Sequence, residues 1–245
     1  MRPEDRERLI VEGAIRYFSD HGFDEDTRGL TAQLGITHSL LFRYFPNKEA
    51  LIDRVYQEIF VSRWNPYWEM LIEDRSKSIE MRMHAFFKDY AKTVLDRDWI
   101  RVFFFAGLKG SPLNAKFLSM MRARVLLPLC RELRLSFGLP MVPDEEITEF
   151  EQELVWGIIG RIVYFGVRKW IYQTPVPDNL AEHIDATIDV FFGGIGDVLK
   201  RHLGDAAPVR KGAPGAASPS HLQLSATGAS HWPPVRKREA STFKP

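Results

Sequence analysis

Cysteine is nearly absent. Cys130 is the only one in 245 residues, which excludes an internal disulfide and gives no sign of an oxidising compartment. Long apolar runs are missing too. The richest stretch, LVWGIIGRIVYFGVRKW (154–170), is interrupted by Arg161 and falls short of the ~20 residues a bilayer-spanning helix needs. The opening MRPEDRERL has no apolar stretch, so no secretory signal is expected, and the chain reads as cytoplasmic with no membrane partner. Alternation of apolar and polar residues, the mark of a half-buried strand, occurs nowhere. No two of the seven histidines stand four apart, and no Gly-rich loop carries a phosphate-binding lysine. Neither a metal site nor a catalytic nucleophile is expected, no cofactor is implied, and the chain is not read as an enzyme.

An excess of one charge is lacking as well. The net charge is +1. Residues 205–245 hold six Lys/Arg against two acids, a net +4, which leaves −3 for residues 1–204. Global charge therefore gives no support for nucleic-acid binding, which must rest on a few well-placed cations.

What the chain does have is helical periodicity along most of its length, so the fold class is all-α. Leu9, Ile10, Ala14, Tyr17 and Phe18 predict a helix over about 4–21, ended by Gly22. Short helices follow over about 27–34, stopped by Gly35, and 38–45. Asn47 caps a fourth, and Pro66 interrupts it. Further helices are expected over about 76–95 and 98–108. Another runs from Pro112 to about 137 with a kink at Pro128, and two more span 144–172 and 178–204. After Gly204 the composition turns to Ala, Pro, Gly and Ser, too poor in apolar residues to offset ordering entropy, so 205–245 is expected to be a disordered basic tail.

The segment LGITHSLLFRYFPNKEAL (34–51) carries the functional signal. Helix two, a turn at Gly35 and helix three make a helix-turn-helix, whose second helix typically lies in the DNA major groove. Leu30, Leu34, Ile36, Leu41 and Phe45 form the inward set. The remaining side chains of helix three, His38, Ser39, Leu40, Phe42, Arg43 and Tyr44, point elsewhere. Lys48 opens the next helix, where its ammonium and the free N–H groups suit a phosphate. The same residues would also serve as the solvated surface of a helical bundle. Residues 9–55 go further: they resemble the N-terminal domain of tetracycline-repressor-type (TetR) regulators. The resemblance rests on A-x-x-x-F-x-x-x-G-F (14–23), the turn Gly35-Ile36-Thr37, and L-x-x-Y-F-x-N-K-E-x-L (41–51), about a fifth of the chain.

That resemblance implies a homodimer on a double-stranded DNA operator. Each subunit would carry a three-helix DNA-binding domain, residues 1–50, and a helical effector-binding and dimerisation domain, residues 51–204. Carried over residue by residue, it implies base reading through His38, Ser39 and Leu40, with Thr37 and Phe42 in the same interface. Arg28, Arg43, Tyr44 and Lys48 match positions that hold DNA, mostly its backbone. Three departures stand out: Asp26 replaces a usual Thr or Ser, Gly29 a usual acidic or polar residue, and Leu40 a usually small or hydroxylated one, which suits an apolar contact with a thymine methyl. With Asp24 and Glu25, Asp26 sets three acids near a presumed phosphate, or else stabilises a helix N-terminus.

In the C-terminal part, the helices over 144–172 and 178–204 are apolar on more than one face and carry Gly157, Gly160, Gly166, Gly193, Gly194 and Gly196. Such helices must be buried on several sides, within one chain or against a second copy. Aromatic residues are dense. Phe87, Tyr90, Trp99, Phe103 and Phe104 with Met120 can line an apolar effector pocket or simply fill the core. Arg161, set among apolar neighbours, is expected to be buried against a ligand carboxylate or an internal acid, with Trp156 and Tyr164 nearby. The leading reading is a transcriptional repressor released by a small, largely apolar effector. A helical enzyme, or an interaction protein with a vestigial helix-turn-helix, remains the alternative.

Overall fold

The computed structural model describes residues 2–23 and 26–204, all within one compact unit. Among them there are helices and turns and no strand. The proposed disordered tail, together with Asp24 and Glu25, lies outside the described residues.

The chain opens with α1 (Pro3–His21), α2 (Thr27–Leu34), α3 (His38–Tyr44) and α4 (Lys48–Tyr56). The start signals are local. Asp26 accepts from the backbone N–H of Arg28, Thr37 from Leu40, and Asn47 from Ala50. Each side-chain oxygen satisfies an N–H that the first helical turn leaves unpaired. α4 runs on into a π-helical turn (Gln57–Val61), and the chain then breaks over 62–66, as Pro66 predicts.

The larger part comprises α5 (Tyr67–Glu73), α6 (Ile79–Val94), α7 (Arg97–Leu108), α8 (Pro112–Met121), α9 (Leu127–Ser136), α10 (Glu149–Trp170) and α11 (Leu180–Leu203). The helix expected to run from Pro112 to about 137 is interrupted by a π-helical turn, Arg122–Leu126, immediately before Pro128. Proline removes one N–H and crowds the carbonyl four residues back, and the widened turn accommodates both. α10 starts later than periodicity suggests, because Thr148 and Glu151 form a capping box and Asp144–Glu146 is a separate 3-10 turn.

One continuous apolar core runs from Ile10 on α1 to Leu199 on α11. Phe86, Phe87, Tyr90 and Trp99 are its large members, each nearly or wholly inaccessible. Two buried ion pairs brace it. Arg82 and the more exposed Arg75 both donate to Glu132, and Arg134 donates to Glu151. No described helix is long and apolar enough to cross a membrane.

A helix-turn-helix at the N-terminus and an exposed face on the last two helices

Leu30 and Leu41 are buried, as is Phe45, while Leu34 and Ile36 are half-buried against the same core. This is the inward set the spacing predicts. The α2–α3 turn is made by Gly35, whose φ of 62° is left-handed. Its N–H reaches the Ala32 carbonyl and the Ile36 N–H reaches the Thr31 carbonyl, the paired bonds of a Schellman turn. A Cβ at Gly35 would meet nothing within 4 Å, so the glycine is required by backbone conformation and not by space.

α3 presents His38, Ser39, Phe42 and Arg43 as exposed residues, with Leu40 and Tyr44 partly covered, as is Lys48 at the start of α4. Thr37, which precedes α3, and His38 have structural work as well. The hydroxyl of Thr37 accepts from the N–H of Leu40 at 3.2 Å and so caps α3. The His38 Nε2 lies 2.9 Å from Thr27 Oγ1, and its ring sits edge-on to Phe42 at 4.6 Å between centroids. Sequence spacing gives no hint of that link, since Thr27 and His38 belong to different helices. It ties the start of α3 to the start of α2.

The acidic departure has a local explanation. Asp26 caps α2, and its carboxylate lies 3.5 Å from the Nε of the exposed Arg28. The helix-terminus reading of this acid is the one the geometry supports. Gly29 is explained as well: a Cβ there would stand 2.2 Å from the Tyr17 hydroxyl of α1.

The residues expected around an effector do not gather about one space. Phe87, Tyr90 and Trp99 are 0–2% exposed, and a side chain that a water-sized sphere cannot touch lines no cavity. Trp99 and Phe103 stack at 5.0 Å, and Phe117 packs against both. Phe103, Phe104, Met120 and Trp156 are half-buried against the core. The expectation of a buried Arg161 is corrected: Arg161 and Tyr164 lie on the exposed side of α10. The reason is helical phase. Val155, Ile158, Ile159, Ile162 and Phe165 take the inner face, which turns Gly157, Gly160, Arg161 and Tyr164 outward.

An open groove of about 740 Å³ lies elsewhere, between α5, α6 and the start of α11. Leu71, Leu95 and Ile184 are among its apolar walls, and Lys88, Asp89 and Lys92 are among its polar ones. The sequence signal for it was weak, because its walls come from three separated segments. Cys130 is buried, and burial foremost pushes its thiol up to about 12, so it stays protonated at neutral pH.

These features define an all-helical chain with an N-terminal helix-turn-helix. Residues 10–55 match the model of the family described as "Bacterial regulatory proteins, tetR family". Among solved structures, a candidate transcriptional regulator from Pseudomonas aeruginosa PAO1 superposes with a TM-score of 0.60 at 15% identity, over 83% of this chain and 96% of that one. A TetR-like transcriptional regulator from Rhodococcus sp. RHA1 gives 0.54 at 16% identity, over 79% and 99%. No curated protein matches the sequence. The chain thus carries an N-terminal segment that matches the tetR family model, and it shares the fold of these two solved structures.

Proposed function

We propose that this chain is a homodimeric, sequence-specific DNA-binding repressor that acts in the cytoplasm and leaves its operator when a small, largely apolar effector binds. The observation that carries the reading is α3, held from behind by buried Leu41 and Phe45 while His38, Ser39 and Arg43 face solvent. Residues 1–50 serve as the DNA-binding domain and 51–204 as the effector-binding and dimerisation domain. His38, Ser39 and Leu40 read bases, Thr37 and Phe42 line the same contact, and Arg28, Arg43, Tyr44 and Lys48 hold the backbone.

Dimerisation is supported by the outer faces of α10 and α11. Gly157, Gly160, Tyr164, Val190, Gly193 and Gly194 are all exposed, and Val190 reaches 78%. Small and apolar residues in such a stripe permit close helix approach by a second copy, and a two-fold dimer matches a two-fold operator. For the effector, the groove beside Leu71 and Ile184 needs no opening of the core, whereas binding among Phe87, Tyr90 and Trp99 does.

Selection of bound sites from random DNA tests the reading. The parent protein is expected to return a two-fold-related sequence, and His38→Ala a changed one. Lys48→Ala is expected to weaken binding to all sequences and to lower the salt slope by roughly one counterion. Recovery of no sequence preference by the parent would refute the proposal.

A further inference from the structure

We propose that Glu80, His84 and Asp189 form a binding site for one divalent transition-metal ion of the zinc or cobalt type, joining α6 to α11. The site is separate from the helix-turn-helix and does not rest on the DNA-binding reading.

Glu80 and His84 stand four apart on α6, and Asp185 and Asp189 four apart on α11, so each pair shares one helix face. The two faces meet. Sequence spacing shows only half of the set on either helix. The donor atoms of Glu80, His84 and Asp189 all lie within 4.8 Å of one another.

The histidine supplies the decisive chemistry. Its Nδ1 lies 2.6 Å from Asp185 Oδ1, and Asp185 is itself held by Lys88, whose Nζ is 3.0 Å away. A neutral imidazole carries one N–H. With that proton on Nδ1 and given to Asp185, the Nε2 lone pair faces Asp189 Oδ1 at 3.0 Å. A proton on Nε2 makes this contact an ordinary ion pair; a metal ion takes the place of that proton, and Glu80, within the same 4.8 Å, supplies a third donor for it. A carboxylate that fixes the tautomer from behind, leaving the other nitrogen for a metal, is the recurrent outer-shell arrangement of metal-binding histidines.

Charge and size agree. Three carboxylates (Glu80, Asp185, Asp189) against one ammonium (Lys88) leave two negative charges around the ring, matched by a divalent ion. Metal–nitrogen and metal–oxygen bonds of about 2.0–2.2 Å put neighbouring donors roughly 3–4 Å apart. The observed spacing needs only a small closing movement, and the exposed Glu80 side chain can supply it. One imidazole with carboxylates and no thiolate suits a borderline divalent ion and not Cu(I). Asp189 is 64% exposed, so solvent has access and water completes the coordination.

The test uses the full chain, stripped with a chelator and titrated with Co²⁺ followed optically and with Zn²⁺ followed by calorimetry. One ion per chain is expected, with a visible cobalt absorption band that Zn²⁺ bleaches. Glu80→Gln, at an exposed position, and His84→Gln are each expected to weaken Zn²⁺ binding at least about ten-fold while circular dichroism is unchanged. Asp185→Asn, at the back of the ring, is expected to cost about 10–100-fold. Absence of stoichiometric uptake by the parent, or parental affinity in Glu80→Gln, overturns the site. The second result would locate the bound ion elsewhere.

Discussion

Gly29 is where the helix-turn-helix meets α1. The Tyr17 ring is buried, and its hydroxyl occupies the space that any other residue's Cβ would take at position 29. Adding a methyl there forces Tyr17 to shift within a packed interior. Gly29→Ala is expected to lower the unfolding free energy by about 1–2 kcal/mol despite alanine's better helix propensity. Tyr17→Phe in the same chain should restore part of that loss, because it removes the atom in the way. Denaturant titration of the parent, both single variants and the double variant checks this, and strict additivity would show that the two residues do not collide. His38 is the other residue whose role grew on folding. Its side-chain link to Thr27 ties a position proposed to read bases to the start of α2.

At the scale of elements, the link between the N-terminal helices and the rest runs through α7. Arg101 donates to the Ser19 carbonyl at 2.5 Å and the Asp20 carbonyl at 3.3 Å, at the end of α1, and to the Trp170 carbonyl at 3.1 Å, at the end of α10. Carbonyls at helix C-termini are left without helical partners and carry partial negative charge, so one guanidinium satisfies two helix ends at once. Arg97 adds contacts to Ser19 and Asp20. Arg101→Met keeps the bulk and removes the donors. It is expected to cost about 2–3 kcal/mol and to speed amide exchange at the end of α1 more than in α6, read by hydrogen-exchange mass spectrometry. Equal protection in both helices would remove Arg101 as the strut. The elements themselves were largely legible in the sequence, because their limits are set by residues such as Asp26, Gly35, Thr37 and Asn47 that act within a turn. α10 was less so: its apolar surplus was evident, but the rotation that turns Arg161 outward depends on which face meets α7 and α9.

For the whole molecule, two expectations follow. The exposed α10–α11 stripe is the surface on which dimerisation is proposed, and Val190 projects from it without contributing to the core. Val190→Lys is expected to give a monomer by light scattering with an unchanged circular dichroism spectrum, since buried charge at such an interface lacks a partner. A persisting dimer would move the interface elsewhere. The second expectation concerns acid. Burial pushes the Glu132 carboxyl up, and hydrogen bonds from Arg75 and Arg82 more than offset it, so its pKa falls below the ordinary 4.5. Ionised Glu132 therefore contributes stability that is fully present above about pH 4.5 and is lost as pH falls through the lowered folded value. Glu132→Gln is expected to cost about 3 kcal/mol at pH 7. The gap between variant and parent should narrow as pH drops below that window, measured by urea unfolding at a series of pH values.

By itself the sequence determined the all-helical class, the helix limits in the N-terminal segment and the helix-turn-helix, because caps, glycine turns and apolar spacing are interactions among residues a few positions apart. Only the tertiary structure decided that Phe87, Tyr90 and Trp99 fill a core, that Arg161 faces outward, that His38 meets Thr27, and that His84 meets Asp185 and Asp189. These depend on how whole helices rotate and dock. His84 and Asp185 are about a hundred residues apart in the chain, and no local pattern encodes the packing that sets them side by side.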